Sequence, residues 1–264
     1  MLIIGERINS SRKPIFQAIA SRNEDFIRNE AKVQSAAGAH YIDVNAGAFG
    51  EEEAEHLKWL IDVVQDATEL PLCIDSPDPT VVRSVLPLLD KPPMINSVTL
   101  EASRLDGILG LAVEYGAKLI GLCQSEVSMA ETTEAKVEIA GQLVEKITAG
   151  GLTLGDFYVD PLVYPLSTDD QSGLCTLNAI EQIMRQYPGI HTTCGLTNIS
   201  YGLPDRKCVN RAFLVAGISR GLDSAIMDPT DNLLYGSLKA ALMISGADES
   251  CMEYISAYRE GRLG

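Results

Sequence analysis

Short apolar runs recur along the chain, and each is followed by a longer segment with a different period. Eight runs of four or five residues are bounded by turn residues and are too short for helices: LIIGE (2–6), YIDV (41–44), LCID (72–75), MINS (94–97), LIGLC (119–123), FYVD (157–160), TTCGL (192–196) and SAIMD (224–228). Runs of this length are typical of parallel strands that are buried on both faces. The pattern therefore predicts eight parallel β-strands.

Between the runs, apolar residues follow the period of an α-helix. One such face, spaced i, i+3, i+4, i+7, consists of Leu57, Leu60, Ile61 and Val64. Glutamates precede it, where the helix dipole favours negative charge. After the third run, Ser76-Pro77-Asp78 supplies cap-like residues for a helix that Pro87 should shorten or bend. The helical period also marks residues 101–116, 131–148, 176–187, 207–220 and 231–244.

Strands and helices that alternate in this way, with right-handed crossovers, close most naturally into a (β/α)8 TIM barrel. A length of 264 residues fits one such barrel. The alternative is a doubly wound open sheet, which we disfavour because neither a GxGxxG turn nor a P-loop follows a predicted strand. No linker divides the chain, so we predict an α/β fold with a single domain over residues 1–264. A last helical pattern, at about 247–264, should pack on the barrel or on a second subunit.

Composition narrows the class of protein. With 46% hydrophobic and 22% charged residues, the chain is globular rather than disordered. Its net charge of −15 would repel polyanions, so nucleic acid and anionic membranes are not expected partners. We expect a cytoplasmic protein, because the amino terminus does not resemble a signal peptide and no apolar stretch has the length of a membrane helix. The cysteines form no CxxC pattern and should be reduced: Cys73, Cys123, Cys175, Cys194, Cys208 and Cys251.

Polar side chains follow nearly every predicted strand. In a TIM barrel the catalytic groups stand at the carboxyl ends of the strands, so these residues are candidates for a shared site. Taken singly, each could cap a helix or occupy a turn, and Asp160 and Asp228, which precede prolines, are the most turn-like. Their repetition favours a site, with Asp75 and Asn96 as its clearest members. The full set is Glu6, Arg7, Asn9, Asp43, Asn45, Asp75, Asn96, Gln124, Asp160, Asn198 and Asp228.

The residue types argue against several kinds of catalysis. Lys118 begins the fifth strand, which is the wrong end for a Schiff-base lysine. No GxSxG elbow offers a serine nucleophile. Isolated histidines without neighbouring cysteines do not make a zinc site, and we expect them to be structural: His40, His56 and His191. A Mg²⁺-dependent lyase remains an alternative, because a hard cation accepts carboxylates, here Asp43, Asp75 and Asp160.

A cup of carboxylates and amides with few cations suits a ligand that is rich in N–H donors and carries no phosphate. An aminopyrimidinone ring is such a ligand. Its amino group and ring N–H donate in parallel to one carboxylate, and amides can pair with its carbonyl and ring nitrogens. The strand ends therefore favour a heterocycle of this kind as the substrate.

Six motifs occur together in the order and approximate spacing of a known family. They are GERIN (5–9), YIDVNAG (41–47), CIDS (73–76), INSV (95–98), DPL (160–162) and GLTNISYGLPDR (195–206). The sequence resembles the pterin-binding methyltransferases, which include methyltetrahydrofolate:corrinoid protein methyltransferases and the folate-binding region of cobalamin-dependent methionine synthase. The resemblance extends from residue 2 to about residue 245. It implies a TIM barrel that is usually a homodimer, a tetrahydrofolate or methyltetrahydrofolate substrate, a partner protein that carries cobalamin, and no metal bound by the chain itself.

The resemblance also implies roles for individual residues. Asp75, Asn96 and Asp160 would hold the pterin ring. Asn198 would reach N5, the nitrogen that bears the methyl group, and Arg206 would support binding from the same loop. Further pterin or folate contacts would come from Gln124 and from Tyr201, which either touches the pterin or gates the cleft. The barrel floor and supporting hydrogen bonds would come from Glu6, Asn9, Asp43, Asn45 and Asp228.

A dihydropteroate synthase on the same scaffold is the second alternative. That enzyme needs cationic residues for a diphosphate, and neither its lysine-bearing loop nor its strand-one signature is found in this sequence. The resemblance therefore favours a folate over a pterin diphosphate.

An amide at position 198 fits the chemistry of methyl transfer. The methyl group leaves a tertiary amine poorly unless N5 gains a proton or a strong hydrogen bond. An amide can accept from a protonated N5 or donate to a neutral one, so it can follow the charge as it develops. Asp75 is the expected relay for a proton that arrives through water. The methyl acceptor would be a cobalt(I) corrin on a partner protein, and the reverse direction uses the same site.

Overall fold

The computed structural model describes residues 1–125 and 130–264, and its centre is a barrel of eight strands. The strands are β1 (Leu2–Asn9), β2 (Tyr41–Asn45), β3 (Leu72–Asp75), β4 (Met94–Val98), β5 (Lys118–Leu122), β6 (Phe157–Asp160), β7 (His191–Thr192) and β8 (Ser224–Met227). Their order in the sheet is β7-β6-β5-β4-β3-β2-β1-β8, and all paired neighbours are parallel. The prediction of a TIM barrel is confirmed.

The barrel closes between β7 and β8 through few backbone contacts. The N–H of Ile226 donates to the carbonyl of Cys194 at 2.9 Å, and Gly195 and Ile226 form an isolated parallel bridge. The seventh strand was predicted over residues 192–196, but its ladder contains only His191 and Thr192. The chain instead enters a 3-10 helix at Leu196–Ser200, which makes this strand the shortest of the eight.

Ten α-helices of the described residues surround the barrel. They are α1 (Lys13–Ala20), α2 (Glu24–Ala36), α3 (Glu53–Gln65), α4 (Pro79–Val85), α5 (Ala102–Glu114), α6 (Thr133–Ala149), α7 (Ser172–Gln186), α8 (Arg206–Ser219), α9 (Asn232–Ile244) and α10 (Met252–Arg259). Within the predicted cap segment Ser76-Pro77-Asp78, it is Asp78 that caps α4, by accepting from the N–H of Thr80. The helix ends before Pro87, which lies in a 3-10 turn. The sequence pattern did not reveal α1 and α2.

Apolar side chains fill the interior of the barrel. Ile4, Cys73, Met94, Ile120 and Tyr158 form one buried cluster from five different strands. Larger clusters lie between the strands and the surrounding helices. The interior is therefore a packed core rather than a pore, as is usual for this architecture, and a ligand can enter only above it.

The carboxyl-terminal segment packs on the barrel. Helix α10 contacts α9, and Ala257 in α10 is buried. Beyond the helix, the guanidinium of Arg262 lies 4.0 Å from the centre of the Tyr235 ring and donates to the carbonyl of Ala37. This confirms the prediction that the segment packs on the barrel. No helix in the described ranges has the length and apolarity needed to cross a membrane.

Candidate functional site

The predicted polar residues form a layer directly above the apolar interior. Side chains of a strand alternate between its two faces, so the residue two positions after an interior residue points to the same side. Two positions after Ile4, Cys73, Met94 and Tyr158 come Glu6, Asp75, Asn96 and Asp160. The alternation of the strands thus brings carboxylates and amides from distant parts of the sequence to the mouth of the barrel.

An open cavity of about 670 Å³ lies at this mouth. Of the twelve residues proposed for the pterin site, nine line it: Glu6, Asn9, Asp43, Asp75, Asn96, Asn198, Tyr201, Arg206 and Asp228. Asp75 and Asn96 come from adjacent strands, and Asn198 comes from the opposite side of the barrel, after β7. The structure therefore brings Asp75 and Asn96, two of the three residues proposed to hold the pterin ring, into one space with the proposed N5 contact Asn198.

The remaining three residues lie outside the lining of the cavity. Asn45 supports it, because its Nδ2 donates to Asp75 Oδ2 at 3.0 Å and its Oδ1 accepts from Ser10 Oγ at 2.7 Å. Asp160 is only 6% exposed and accepts a hydrogen bond from the N–H of Leu162 at 2.8 Å. Gln124 stands two residues before the undescribed segment 126–129. Direct ligand contact by Asp160 and Gln124 stays a proposal.

Burial perturbs the acids on the β1 and β6 sides of the site. It raises the pKa of Glu6 to about 7. The nearby charge of Asp228 raises this pKa further, whereas a hydrogen bond from Thr197 lowers it. Burial also raises the pKa of Asp160 to about 6, against the hydrogen bond from Leu162 and the charge of Lys136. Both acids are thus partly protonated near neutral pH unless a ligand donates to their ionised forms.

Asp43 is buried, and Asp75 on the adjacent strand is half-buried. Burial raises the pKa of both groups, and the charge of Asp75 raises that of Asp43 further. The hydrogen bond from Asn45 acts in the opposite direction on Asp75. Asp43 is 2% exposed, and its Oδ1 has no hydrogen-bond partner among the described residues. A buried acceptor without a partner is costly, so this end of the cavity favours a ligand that brings N–H donors.

Asn198 stands on a short turn that its neighbours hold in place. It lies in the 3-10 helix Leu196–Ser200. Arg206, the first residue of α8, donates to the carbonyl of Thr197 at 2.8 Å and to Ser200 Oγ at 3.1 Å. Within the described part of the chain, the carboxamide of Asn198 has no hydrogen bond. The backbone of the turn is therefore held in place, while the carboxamide can rotate to present either its NH₂ donor or its oxygen acceptor.

Tyr201 and Arg206 sit at the rim rather than in the depth of the cavity. Tyr201 is 66% exposed, and the Arg206 guanidinium lies 5.6 Å from the centre of its ring. Arg7, named above with the strand ends, turns away from the cavity and pairs with Glu30 at 2.8 Å and with Asp228 at 3.0 Å. Arg7 therefore joins β1 to α2 and to the loop after β8.

A buried lysine supports the loop that follows β6. Lys136 in α6 is fully buried, and its Nζ donates to the carbonyls of Pro161 at 2.6 Å and Leu162 at 2.8 Å. Leu162, with φ of 58°, in turn donates its N–H to Asp160. Lys136 thus helps to fix the position of Asp160. Its position on the core-facing side of a predicted helix was the sequence signal that could have identified it.

The expected structural histidines and the strand-five lysine are found in ordinary contacts. His40 Nδ1 accepts from the N–H of Ile3 at 3.0 Å, His191 pairs with Asp223, and His56 pairs with Glu52. Lys118 lies at the amino end of β5 beside Asp156. In residues 1–125 and 130–264, no three His, Cys, Asp or Glu side chains gather in a way that could hold a metal ion.

Glu6 gives the site a testable pH dependence of stability. Its pKa in the folded protein, about 7, is above the ordinary 4.5, so the folded state binds more protons than the unfolded state between these values. Stability therefore falls as the pH rises through this window. We expect Glu6→Gln, which removes the charge, to raise the Tm at about pH 8 and to leave it unchanged at about pH 5.

Thermal unfolding at several pH values measures this effect. The exposed Glu145 on α6 is the matched control, and Glu145→Gln should leave the Tm nearly the same at each pH. If Glu6→Gln changes the Tm by the same amount at about pH 5 and at about pH 8, the change is not caused by the cost of ionising Glu6.

Comparison with known proteins agrees with this geometry. The profile of the pterin binding enzyme family matches residues 5–228. The methylcorrinoid:tetrahydrofolate methyltransferase of Eubacterium limosum is 42% identical over 266 residues, which cover 100% of this chain and 98% of that protein. The methionine synthase of Mycobacterium leprae is 32% identical over 240 residues, which cover 86% of this chain but only 20% of that larger protein.

Solved structures show the same fold at low sequence identity. A dihydropteroate synthase from Coxiella burnetii in complex with pteroic acid superimposes with a TM-score of 0.71 at 14% identity, covering 92% of each chain. The likeness at this level of identity concerns the barrel alone.

Proposed function

We propose a function from the premise that this chain belongs to the pterin-binding enzyme family: it transfers a methyl group between N5 of a tetrahydrofolate and the cobalt of a corrinoid protein. The observation that carries the proposal is one cavity that Asp43, Asp75, Asn96 and Asn198 line together. A relative of which the match covers 98%, a methylcorrinoid:tetrahydrofolate methyltransferase, supports the choice of reaction.

The deep side of the cavity would take the pterin ring. The amino group and ring N–H of the aminopyrimidinone would donate to buried carboxylates there, and Asn96 would pair with the ring carbonyl or a ring nitrogen. Such donors favour the ionised form of an acid whose pKa burial has raised. Asp43 Oδ1 would thus gain in the complex a hydrogen bond that the free protein does not supply, and Asp75 would accept from the ligand in addition to Asn45.

Asn198 would act on N5 itself. A carboxamide can donate to neutral N5 or accept from protonated N5, and the Asn198 carboxamide has no competing partner among the described residues. An interaction that strengthens as charge develops lowers the barrier, whereas one that is equally strong in the ground state does not. Asp75 would pass the proton through water.

The corrinoid would come from a partner protein. Its cobalt supplies the atom that accepts or gives up the methyl group, and the open mouth of the barrel is the side from which it would approach. The chain's own tasks are to bind the folate, to orient N5 toward the mouth and to hold a proton near it. The same arrangement serves both directions of transfer.

Titration with methyltetrahydrofolate, followed by reduced free cobalamin, tests the proposal. We expect saturable binding by fluorescence and then the absorbance of methylcobalamin. Binding without turnover, with free cobalamin and with corrinoid proteins alike, would identify a folate carrier. Activity that disappears after dialysis against EDTA and returns with Mg²⁺ would favour the metal-dependent alternative. Condensation of a pterin diphosphate with p-aminobenzoate would favour the dihydropteroate synthase alternative.

A further inference from the structure

A half-buried arginine stands behind the cavity wall at β3 and β4. Arg104 lies in the first turn of α5 and is not part of the lining of the cavity. Its Nε donates to the carbonyl of Ser97 at 2.9 Å, and its Nη2 donates to Ser97 Oγ at 3.0 Å. Ser97 is 3% exposed and directly follows Asn96, which lines the cavity. Arg104 therefore holds the main chain beside a proposed pterin residue.

The same strand end belongs to Asp75. Asp75 on β3 and Asn96 on β4 are partners in the register of the two strands, and the N–H of Ser76 donates to the carbonyl of Asn96 at 3.0 Å. The ladder from β4 to β5, in contrast, shifts its register between Asn96 and Val98. The bonds from Arg104 to Ser97 thus support the chain at the point where the regular ladder is interrupted.

Helix stability does not explain an arginine at this position. The first turn is the positive end of a helix, where the macrodipole opposes a cation. Burial lowers the pKa of Arg104, whereas the charges of Glu101 and Asp75 raise it. The cation is therefore placed against both the helix dipole and its own need for water. What it gains is the contact with Ser97 and the attraction of Asp75.

A buried glutamate acts on Asp75 in the opposite sense. Glu53, the first residue of α3, is 8% exposed, and its Oε1 has no hydrogen-bond partner among the described residues. Burial raises the pKa of Asp75, and the hydrogen bond from Asn45 lowers it. The charge of Glu53 raises the same pKa, whereas the charge of Arg104 lowers it. Two opposite charges from the surrounding helices thus act on Asp75, and neither side chain lines the cavity.

Two other titratable groups act together with Asp75. Asp43 on β2 has its pKa raised by burial and then by the charge of Asp75. The thiol of Cys73 on β3 has its pKa raised by burial and by both of these acids, so it stays neutral near pH 7. Because Asp43 and Cys73 are the same in every variant described below, differences between the variants report on the two helix residues.

We propose that Arg104 is a positioning residue of the pterin site, which fixes Asn96 and keeps the carboxylate of Asp75 available to the ring N–H donors. It fixes Asn96 through the two bonds to Ser97. It acts on Asp75 through its charge, which is weakly screened because the pair is partly buried. Glu53 opposes this second effect, so the two helix residues together set the pH range of binding. The inference rests on the proposed function.

The affinity for tetrahydrofolate between about pH 5 and about pH 8 tests the inference. In the wild-type protein the affinity should fall with the pH as Asp75 takes up a proton. Arg104→Gln should move the midpoint of this fall upward by roughly half a pH unit, less than the one to three units that a charge in direct contact produces. Glu53→Gln should move it downward by a similar amount. On the acidic side, each shift is a change of about threefold in affinity.

Arg104→Lys separates charge from position. Lysine keeps the positive charge but lacks the planar, two-pronged donor. Its midpoint should therefore stay near that of the wild type, while its affinity well above the midpoint should fall as it does in Arg104→Gln. The Tm of each variant near neutral pH shows whether the fold is retained.

Three controls accompany these variants. Arg185→Gln on α7, where the side chain is 78% exposed, and Glu145→Gln on α6 remove exposed charges of each sign and should leave the midpoint in place. In an Asp75→Asn background, neither Arg104→Gln nor Glu53→Gln should move the remaining pH dependence, because the acid on which they act is absent.

The outcomes distinguish this inference from the proposed function. If Arg104→Gln and Glu53→Gln leave the midpoint unchanged or move it in the same direction, the inference is wrong while pterin binding stands. It is also wrong if their shifts persist in the Asp75→Asn background. If Arg104→Gln does not fold, Arg104→Lys and Glu53→Gln still decide. If the wild-type protein does not bind tetrahydrofolate, the proposed function and the inference both fail.

Discussion

Replacing Asn198 by alanine should lower the rate of methyl transfer by roughly 100-fold, the scale of a lost transition-state hydrogen bond, while the affinity for tetrahydrofolate changes much less. The reason is that the amide has its greatest effect when N5 gains charge, and the ground state gives up little when it is removed. The rate is measured as methylcobalamin formation at saturating folate, and the affinity by fluorescence titration.

The control for this prediction is Asn29→Ala, an exposed asparagine on α2 that should leave both quantities unchanged. A rate that stays within twofold to threefold of wild type in Asn198→Ala would remove the catalytic role. A loss that appears only in the affinity would instead make Asn198 a binding residue.

Gly195 offers a second way to move the same amide. A Cβ at position 195 would lie 2.9 Å from Asn198 Nδ2, so Gly195→Ala should displace the carboxamide and lower the rate in the same direction. The close atom is the end of a flexible side chain, so the cost in stability should be small. The Tm therefore tells displacement of the amide apart from damage to the fold.

The second large effect is expected for Asp75→Asn, which should weaken folate binding by about 10- to 100-fold, as for a lost hydrogen bond to a buried charge. An asparagine can keep its oxygen toward the Nδ2 donor of Asn45, which bonds Asp75 Oδ2 at 3.0 Å. Its own NH₂ group then faces the N–H donors of the pterin. Turnover should fall further, because the relay for the proton is also lost.

Stability and pH separate this effect from unfolding. Because burial raises the pKa of Asp75, its ionised form is costly in the free protein, and the Asp75→Asn protein should be at least as stable as wild type near neutral pH. Wild-type binding should weaken as the pH falls and Asp75 takes up a proton, and this contribution should be absent in the variant. Asp62→Asn, at an exposed position of α3, is the control. Unchanged folate affinity in Asp75→Asn would contradict its place in the pterin site.

The layout of the strands could be predicted because buried parallel strands leave a clear signal. Each is a short apolar run, and in β1, β3, β4 and β6 the residue two positions after the interior residue is polar. Asp75 and Asn96 could therefore be placed at the cavity from sequence alone, and both line it. Their detailed roles could not be obtained this way, because the pattern says which end of the barrel a side chain occupies and not what it touches.

Other parts of the fold and of the site could not be predicted from the sequence, for physical reasons. In α2, Glu30 and Gln34 occupy buried positions because they bond the side chain and the N–H of Arg7, and these polar residues interrupt the apolar period. Arg12, Lys207 and Asn210 lie after the strand end or in the first turns of α8, where a charged or amide residue is ordinary. Only the three-dimensional arrangement reveals that they share one cavity.

The ammonium group of Lys136 joins helix α6 to the loop that follows β6. It provides donors to two main-chain oxygens of the loop after β6, and a buried oxygen deprived of its donor costs about 1–3 kcal/mol. A relative with an aliphatic residue at position 136 must therefore build residues 161 and 162 differently. Among distant members of the family, residue 136 and the segment 161–162 should therefore change together or not at all.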